Sequence, residues 1–517
     1  MPGKYLLGID IGTNNSKGVI TDFDGRVLAH RTVEHETCSP QPGWYEHDAD
    51  KVWWGDFVQI VRAMLQEASI KGQDIVAVGQ STLMPDMLPV DDQGHPLRPG
   101  ILYGIDTRAV AEIAYINEVF GPEFILEKAG NPVTAQSVGA KILWFKNHEP
   151  DLYARTRQFH NCSSYLILKL TGEYILDNGN AFFWTPLYDI HALQWDVQIC
   201  HTLGIDPALL PRTAYCTEIA GHVTDRAAAE TGLAAGTPII VGCSDALAEV
   251  ISAGVVYPGE AGLSYGSTMS MLVSETGLRS VPNLGVLPSV VPNIYITGSG
   301  TAAAAALTRW FRDNFGQVEM EAQRLLGLNA YHMLSDEAER IPPGSEGLVV
   351  LPYFAGERTP LWDAEARGMI LGLTLSHSRA HIYRALLEAT AYSQRHNLDV
   401  MAANGVEVKK IVSVGGGTRS HVWTQIVSDV TGIPQELALS PYGSPYGDAY
   451  LAGYAAGIFS DFETLRNRWV KIVRRVEPNP ALKPLYDRYY QIYRRLYEPT
   501  KDAMHELARL SCLRHSE

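Results

Sequence analysis

Three short segments rich in glycine, serine and threonine follow apolar stretches of the sequence and could bind phosphate. They are Gly12-Thr13-Asn14-Asn15, Gly266-Ser267-Thr268 and Gly415-Gly416-Gly417-Thr418. Turns of this composition expose backbone N–H groups and hydroxyls that can surround phosphate oxygens. Glycine turns also simply join strands, so one of them alone would be weak evidence. Three in one chain favour a nucleotide site in which two turns hold the β and γ phosphates and the third lies near the base and sugar.

Charged residues stand close to two of these turns, and each has two interpretations. Lys17 is either a point charge for phosphate or an ordinary lysine on a strand. Asp10 ends an apolar run, where an unpaired buried carboxylate favours a bound cation or a nearby donor; otherwise it caps the following turn. Asp245 stands at a switch from strand to helix, where it is either a functional carboxylate or the cap of the next helix.

The elements that must position these residues alternate between strand and helix in the first half of the chain. Apolar runs at 5–11 and 17–21 flank the first turn, and a third predicted strand at 26–33 follows the hairpin signal Asp24-Gly25. Apolar residues at helical spacing over 52–65 predict a helix, and 75–79 is a short apolar strand. This alternation indicates an α/β fold.

The second half repeats the layout of the first. Predicted strands at 261–265 and 269–273 flank the second turn, and the strand 410–414 precedes the third, followed by a helix that Gly432 ends. The sequence therefore predicts two α/β domains, 1–256 and 257–517, with a tyrosine-rich helix at the end of the second. Further predicted elements are a strand at 238–242, a helix at 246–253 and a long amphipathic helix ended by Gly405.

Composition excludes several classes of partner. The chain has 517 residues, 46% of them hydrophobic and 19% charged, and its net charge of −15 offers no bulk attraction to nucleic acid or anionic membranes. Prolines interrupt the charge-free stretch 280–308, so it is not a membrane span. Six scattered cysteines without a CxxC pair, and no recognisable signal peptide, predict a cytoplasmic protein with reduced thiols. A monomer and a homodimer both remain open.

Together, these segments resemble the FGGY family of carbohydrate kinases over residues 5–500. The resemblance implies two actin-like, ribonuclease H-like domains whose cleft closes on ATP, Mg²⁺ and a small sugar or polyol. The segments that carry it are Asp10–Lys17, Gly242–Asp245, Tyr265–Thr268, Val414–Gly417, Tyr103–Arg108, Lys141–Trp144, Leu170–Glu173 and Gly368–Glu388.

The resemblance also implies a role for each candidate residue. Asp245 would be the general base towards the attacking hydroxyl, and Asp10 would hold Mg²⁺, through water. The phosphates would lie against Gly12, Thr13, Asn14, Lys17, Gly266, Ser267 and Thr268, and the adenosine against Gly416, Gly417 and Thr418. The sugar would contact Gln80, Ser81, Thr82, Asp106 and Asp245, although Asp106 could instead cap a helix.

The acceptor is the least determined part of this interpretation. A ketopentose such as xylulose is favoured, yet Gln80-Ser81-Thr82-Leu83 stands where xylulokinase-like members carry Gln-Met-His-Gly with a sugar-contacting histidine. A glycerol- or erythritol-type polyol and an aldonate are the alternatives, and an acid would need a cation, for which Arg108 is the nearest candidate. His421 replaces an asparagine that many members have near the adenosine. More distant alternatives are an actin- or chaperone-like ATPase and a non-catalytic sugar-binding relative.

Overall fold

Two seven-stranded mixed sheets form the framework of the protein. A computed structural model describes residues 4–439 and 442–513. In the first sheet, the antiparallel hairpin of Tyr5–Ile11 and Asn15–Thr21 lies beside a parallel neighbour, Ile75–Thr82. The spatial order of its strands is Ile219–His222, Pro238–Ile240, Ile75–Thr82, Tyr5–Ile11, Asn15–Thr21 and Val27–Glu34, and Cys243–Ser244 also pairs with Ile75–Thr82.

The second sheet is built on the same plan. The hairpin of Glu260–Tyr265 and Met269–Thr276 again has a parallel neighbour, Lys410–Val414. The α/β class, the two glycine-turn hairpins and the repetition of one layout in the two halves are thus confirmed. The spatial order is Gly285–Pro288, Ile294–Gly300, Met269–Thr276, Glu260–Tyr265, Lys410–Val414, Gln435–Leu439 and Lys471–Val476.

Several element boundaries differ from the predicted ones for identifiable reasons. The strand predicted to end at residue 79 continues to Thr82, because Ser81 and Thr82 pair with the end of the first strand. The strand predicted over 238–242 ends at Ile240, since Gly242 has a φ of +79° that interrupts it. The predicted helix over 52–65 begins as a π-helical turn at Ala49–Trp54 and continues as Gly55–Glu67.

Helices cover both sheets and fill the space between them. The first half contributes Gly55–Glu67, Val110–Phe120, Pro122–Ala129, Val138–His148, Pro150–Arg155, Cys162–Thr171, Asn178–Ala181, Val197–Thr202, Asp225–Thr231 and Asp245–Ser252. The second half contributes Ala305–Phe315, Gln317–Leu326, Ala330–Glu339, Arg379–Ala403, His421–Thr431, Ser444–Ala455 and Lys483–Leu513.

The two halves exchange a helix between the sheets. Asp245–Ser252, from the first half, packs Val250 against the second sheet. Ser444–Ala455, from the second half, packs on the first sheet so closely that a Cβ at Gly8 would overlap the carbonyl oxygen of Pro445. The exchanged helices also contact each other. The predicted domain boundary at 256/257 remains a prediction. The helix Ser444–Ala455 lies beyond that boundary in the sequence but packs on the first sheet, which no local sequence pattern indicated.

The tyrosine-rich C-terminal segment forms the predicted terminal helix, Lys483–Leu513. Tyr486, Tyr490 and Tyr493 are buried against the helix Arg379–Ala403, where their rings surround Tyr392. This helix therefore closes the core of the second half, as the spacing of its tyrosines predicted.

The structure describes the side chains of five of the six cysteines and all the helices given above. Cys38, Cys162, Cys200, Cys216 and Cys243 are free thiols, and the side chain of Cys512 lies outside the described part of the chain. Within residues 4–439 and 442–513, no helix combines the length and the apolar character needed to cross a membrane.

Candidate active site

A cavity of about 390 Å³ brings together residues from both halves of the chain. Thr13 and Asp245 line it from the first half, and Thr268 lines it from the second. The first hairpin loop (residues 12–14) and the second hairpin loop (residues 266–268) thus border one space that also contains the carboxylate of Asp245. The sequence pattern predicted the two facing turns, and the resemblance implied that Asp245 lies with them; we call this space the first cavity.

The first hairpin loop presents two free backbone donors. The carbonyl oxygens of Gly12, Thr13 and Asn14 all accept hydrogen bonds from the segment 35–47. Because the C=O and N–H of a trans peptide point in opposite directions, the N–H groups of Thr13 and Asn14 face away from that segment. Neither N–H donates a hydrogen bond to another described residue. Two adjacent free donors of this kind form an anion-binding concavity.

The second hairpin loop has the same geometry, produced in a different way. Gly266 O accepts from Ala305 N at 3.0 Å, and Ser267 O accepts from Ala304 N at 2.8 Å and from Ala306 N at 3.1 Å. The start of the helix Ala305–Phe315 therefore anchors these carbonyls. The N–H groups of Ser267 and Thr268 point the other way and donate to no described residue. The two loops thus offer matched pairs of donors.

A cluster of buried carboxylates lies behind the first cavity. Asp10 is 5% exposed, and its one side-chain hydrogen bond comes from Ser81 Oγ at 3.3 Å. Ser81 Oγ lies closer to Asp448 Oδ2, at 2.6 Å, and its one hydrogen can be donated to only one of the two carboxylates at a time. Burial, and next the charge of Asp245, raise the pKa of Asp10, and burial raises the pKa of Asp448 well above its ordinary value. The cluster is therefore an electrostatically strained site that favours protons or cations.

Asp245 begins the exchanged helix and turns its carboxylate towards the first cavity. Ser244, not Asp245, caps this helix, because its side chain accepts from Leu247 N at 3.2 Å. Asp245 Oδ1 accepts from Ala246 N at 2.7 Å, and Oδ2 has no partner among the described residues. Burial and the nearby Glu249 raise the pKa of Asp245 to about 6. One carboxylate oxygen is thus free to accept from a ligand.

The donor set around Asp10 suits a hard divalent cation. Carboxylate oxygens are the ligands that Mg²⁺ prefers, and the repulsion between Asp10 and Asp245 is one that a cation would relieve. In the described part of the chain, no three His, Cys, Asp or Glu side chains converge as a metal site. Because Mg²⁺ usually keeps several waters and one or two protein carboxylates, Asp10 fits as its protein contact.

Lys17 lies on the strand Asn15–Thr21, which pairs with the strand of Asp10, and its charge affects the pKa values of the nearby carboxylates. The two residues are directly opposite each other in the hairpin register. The ammonium charge of Lys17 lowers the pKa values of Asp10, Asp245 and Glu249 against the effect of burial. It does not line the first cavity. A phosphate contact for Lys17 stays a prediction, while its electrostatic effect on the carboxylates is evident.

The residues predicted from the strand ending at Thr82 to bind sugar are fully buried and do not line the first cavity. Gln80 Nε2 lies 3.4 Å from Ser163 O, and Ser81 belongs to the carboxylate cluster. Thr82 Oγ1 is buried and has no partner in the described residues. Their sugar contacts stay predictions, because these side chains are buried and do not line the first cavity.

Asp106 forms a buried ion pair with Arg108. It is not the N-cap residue of the next helix, and it does not line the first cavity. Arg108 donates to both of its oxygens, from Nε at 2.9 Å and from Nη2 at 2.7 Å, and Tyr45 N donates at 2.7 Å. The next helix begins at Val110, and its N-cap position is Ala109, which makes no side-chain capping bond. Arg108 also pairs with Glu46 and lies over the Trp44 ring at 4.2 Å, so it is not the cation of an acid-binding pocket.

The polar wall of the first cavity comes largely from residues that the sequence analysis missed. The segment 131–137 supplies Asn131, Thr134, Gln136 and Ser137, and its run of short polar side chains between helices was the available signal. Arg358 from the second half is the lone Lys or Arg on the described wall. Its guanidinium makes no ion pair or hydrogen bond with any described residue, and nothing local distinguished it from a surface arginine.

A second cavity of about 410 Å³ lies on the other side of the second hairpin loop. Gly266 and Ser267 line it together with Gly416 and Gly417, whose contact with the adenosine stays a prediction. Thr418 does not line it, because its hydroxyl donates back to Gly415 O at 2.7 Å. His421 borders a separate cavity of about 700 Å³ beside Arg474, and not the second cavity. The second loop thus separates two spaces of ligand size.

Comparison with known proteins agrees with this geometry. Residues 5–252 match the N-terminal domain, and residues 262–456 the C-terminal domain, of the FGGY family of carbohydrate kinases. The chain is 30% identical over 507 residues to an autoinducer-2 kinase of Salmonella paratyphi B, covering 96% of this chain and 94% of that protein.

Two xylulose kinases are also similar over nearly the whole chain. The xylulose kinase of Lactococcus lactis is 27% identical, with 97% of this chain and 98% of that protein covered. The crystal structure of the Rhodospirillum rubrum xylulose kinase superposes with a TM-score of 0.90 at 30% identity, covering 97% of this chain and 100% of that one. The predicted two-domain fold with a cleft is therefore the fold of these kinases.

Proposed function

The chain belongs to the FGGY family of carbohydrate kinases and is a phosphotransferase, and from this premise we propose that it transfers the γ-phosphoryl group of Mg-ATP to a hydroxyl of a ketopentose such as xylulose. One observation carries the proposal. Two hairpin loops with anchored carbonyls carry free N–H pairs, and Thr13 and Thr268 from these loops line one space together with Asp245, whose Oδ2 is free. A triphosphate and an alcohol are the ligands that suit such a space.

The nucleotide would lie across the second hairpin loop. Its adenosine would occupy the second cavity beside Gly416 and Gly417, and its phosphates would pass the N–H groups of Ser267 and Thr268 towards Thr13 and Asn14. Mg²⁺ held near Asp10 would neutralise charge on the phosphate oxygens. Because phosphoryl transfer has a loose transition state, fixed donors on both sides contribute by positioning the group and stabilising its charge.

Asp245 would orient the acceptor hydroxyl and receive its proton. Its free Oδ2 can accept from the hydroxyl, while the Ala246 N–H fixes the other oxygen. The pKa of about 6 suits this role, since the carboxylate is ionised at neutral pH and is a better proton acceptor than an ordinary aspartate. The proton moves late, as the new P–O bond forms.

The composition of the first cavity supports a small polyhydroxylated acceptor. Amide and hydroxyl groups of Asn131, Thr134, Gln136 and Ser137 can each exchange hydrogen bonds with adjacent sugar hydroxyls. A volume of about 390 Å³ accommodates a five- or six-carbon chain beside the terminal phosphate. The two xylulose kinases among the relatives favour a ketopentose, and the autoinducer-2 kinase adds its own acceptor to those that must be tested.

The decisive functional experiment is an acceptor panel with Mg-ATP. ADP release is measured with pentuloses, glycerol, erythritol, aldonates and autoinducer-2 against a blank without acceptor. We expect release that depends on acceptor, with the highest kcat/KM for a ketopentose. Release at the same rate in the blank would instead indicate an actin- or chaperone-like ATPase, and no release with any acceptor would contradict the proposal.

An aldonate is the second candidate acceptor, and Arg358 is the observation that favours it. Its unpaired guanidinium is a cation on the wall opposite Asp245, where a carboxylate could bind in a bidentate manner. Arg358→Met should then raise KM for gluconate about tenfold or more, and leave KM for xylulose within about threefold. Steady-state kinetics with both acceptors check this. Equal KM changes for the two acceptors would exclude carboxylate recognition by Arg358.

A further inference from the structure

The first hairpin loop is anchored almost entirely by side chains. Thr13 O accepts from Thr37 Oγ1 at 2.8 Å and from His47 Nε2 at 3.1 Å. Gly12 O lies 3.2 Å from His35 Nε2, and Asn14 O accepts from His35 N at 3.1 Å. Three consecutive carbonyls are thus fixed from one direction by the segment 35–47.

The hydrogen bonds of His47 determine which of its ring nitrogens donates. Trp53 Nε1 can act only as a donor, and it lies 3.1 Å from His47 Nδ1. Nδ1 is therefore the acceptor, so the ring proton is on Nε2, which lies 3.1 Å from both Thr13 O and Thr37 Oγ1. Burial, and then the neighbouring His35, lower the pKa of His47 to about 4, which keeps this neutral tautomer. Trp53 is 0% exposed, so the ring has a rigid support.

His35 is oriented in the same way from a second support. Its Nδ1 lies 2.7 Å from Asp56 Oδ2, which also accepts from Ser16 Oγ at 2.7 Å. The other ring nitrogen faces Gly12 O. Asp56 belongs to the helix Gly55–Glu67, and Ser16 to the strand that follows the loop. The His35 ring is therefore held by Asp56 on the helix that covers the first sheet, and Asp56 is itself bonded by Ser16 on a strand of that sheet.

We propose that His35, Thr37 and His47 are positioning residues that aim the Thr13 and Asn14 N–H groups at the phosphate chain. The inference rests on the proposed function. A planar trans peptide whose carbonyl is held cannot rotate its N–H out of the cleft, so these side chains preorganise two donors before any ligand binds. The second loop needs no such side chains, because the helix Ala305–Phe315 holds its carbonyls through backbone N–H groups.

The residues that hold the first hairpin loop are also bonded to the segment 100–108, which includes Tyr103 of the first cavity. His47 and Glu46 form a two-residue strand that pairs with Gly100 and Ile101. Glu46 accepts from Arg108 Nη1 at 2.8 Å, and Arg108 in turn holds Asp106. Tyr103 lies between these residues in the sequence and lines the first cavity, and its hydroxyl is hydrogen-bonded to Thr13 Oγ1 at 3.1 Å. The loop is thus held against Tyr103, which also lines the first cavity.

The test is a double-mutant cycle on the two donors to Thr13 O. Thr37→Val and His47→Leu each leave one donor, and the double variant leaves none. We expect each single variant to weaken Mg-AMPPNP binding, measured by calorimetry, by about threefold, and the double variant by about thirtyfold or more, beyond the product of the singles. His47→Gln, which retains a donor near the position of Nε2, should restore most of the affinity.

The controls separate positioning from folding and from the proposed function itself. His160 is equally buried in the same half, bonds Ser164 and Gln158, and does not touch the loop, so His160→Leu matches the loss of a buried histidine. Melting temperatures of all variants are recorded. If the double variant melts like His160→Leu and binds Mg-AMPPNP as tightly as the wild type, the positioning role is wrong. Failure of the wild type itself to bind would instead contradict the proposed function.

Discussion

Asp245→Asn should bind Mg-AMPPNP and acceptor as the wild type does, yet turn over at least about 100-fold more slowly. The substitution keeps the size of the side chain and its bond with Ala246 N, but it removes the proton acceptor from the first cavity. A coupled assay of ADP release with xylulose gives kcat, and calorimetry gives both dissociation constants. Near-normal turnover would remove Asp245 from the mechanism.

The pH dependence of the wild type provides a second readout of the same residue. Because the pKa of Asp245 is raised to about 6, kcat/KM should fall as the pH is lowered through 6, when the carboxylate takes up its proton. An ordinary aspartate would keep its activity down to about pH 4. The residual activity of Asp245→Asn should lack this acid limb, whereas an identical limb in the variant would assign it to another group.

Asp10→Asn should be about 100-fold less active and, without ligands, more stable than the wild type. The loss follows because the variant lacks the carboxylate proposed to hold Mg²⁺. The gain in stability follows because burial and Asp245 penalise the charged form of Asp10 in the folded protein. Melting temperatures in the presence of EDTA, and kcat as a function of Mg²⁺ concentration, check the two parts of this prediction.

The direction in which the stability of the metal-free protein changes with pH provides a further test of Asp10. Since its pKa is higher in the folded than in the unfolded protein, the folded state binds the proton more tightly, and the wild type without metal should become more stable as the pH falls from 8 towards 6. Asp448→Asn is the control. Burial raises the pKa of Asp448 well above its ordinary value and so favours the protonated form, which asparagine resembles, and this variant should change turnover far less. Equal losses in both variants would contradict a specific role for Asp10.

The parts of the fold and site that could be predicted are those with a local sequence signal. Gly12-Thr13-Asn14 and Gly266-Ser267-Thr268 each stand between two apolar runs, and both form the expected hairpin turns. Asp245 follows a short strand and begins a helix, a pattern that left a helix cap and a functional carboxylate both open, and its role was implied only by the resemblance to FGGY carbohydrate kinases. Periodicity and turn chemistry act over a few residues, which is why they were sufficient for the hairpin turns.

The remaining features depend on contacts between distant parts of the chain. Asp448 joins the carboxylate cluster because the helix Ser444–Ala455 crosses to the first sheet, and its sequence shows only a small, mostly apolar helix. Asp106 pairs through both oxygens with Arg108, two residues away, which no local signal showed, and its predicted sugar contact stays a prediction. Arg358 enters the first cavity from a loop. The partner of an ion pair and the course of a loop leave no periodic pattern in the sequence, so these features could not be predicted from it.

The most direct test is a structure of the protein with Mg-AMPPNP and xylulose. The account predicts that the Thr13 and Asn14 N–H groups and the Ser267 and Thr268 N–H groups contact the β and γ phosphates from opposite sides, with an acceptor hydroxyl beside Asp245 Oδ2. A triphosphate that contacts only one of the two loops, or an acceptor bound away from Asp245, would contradict it.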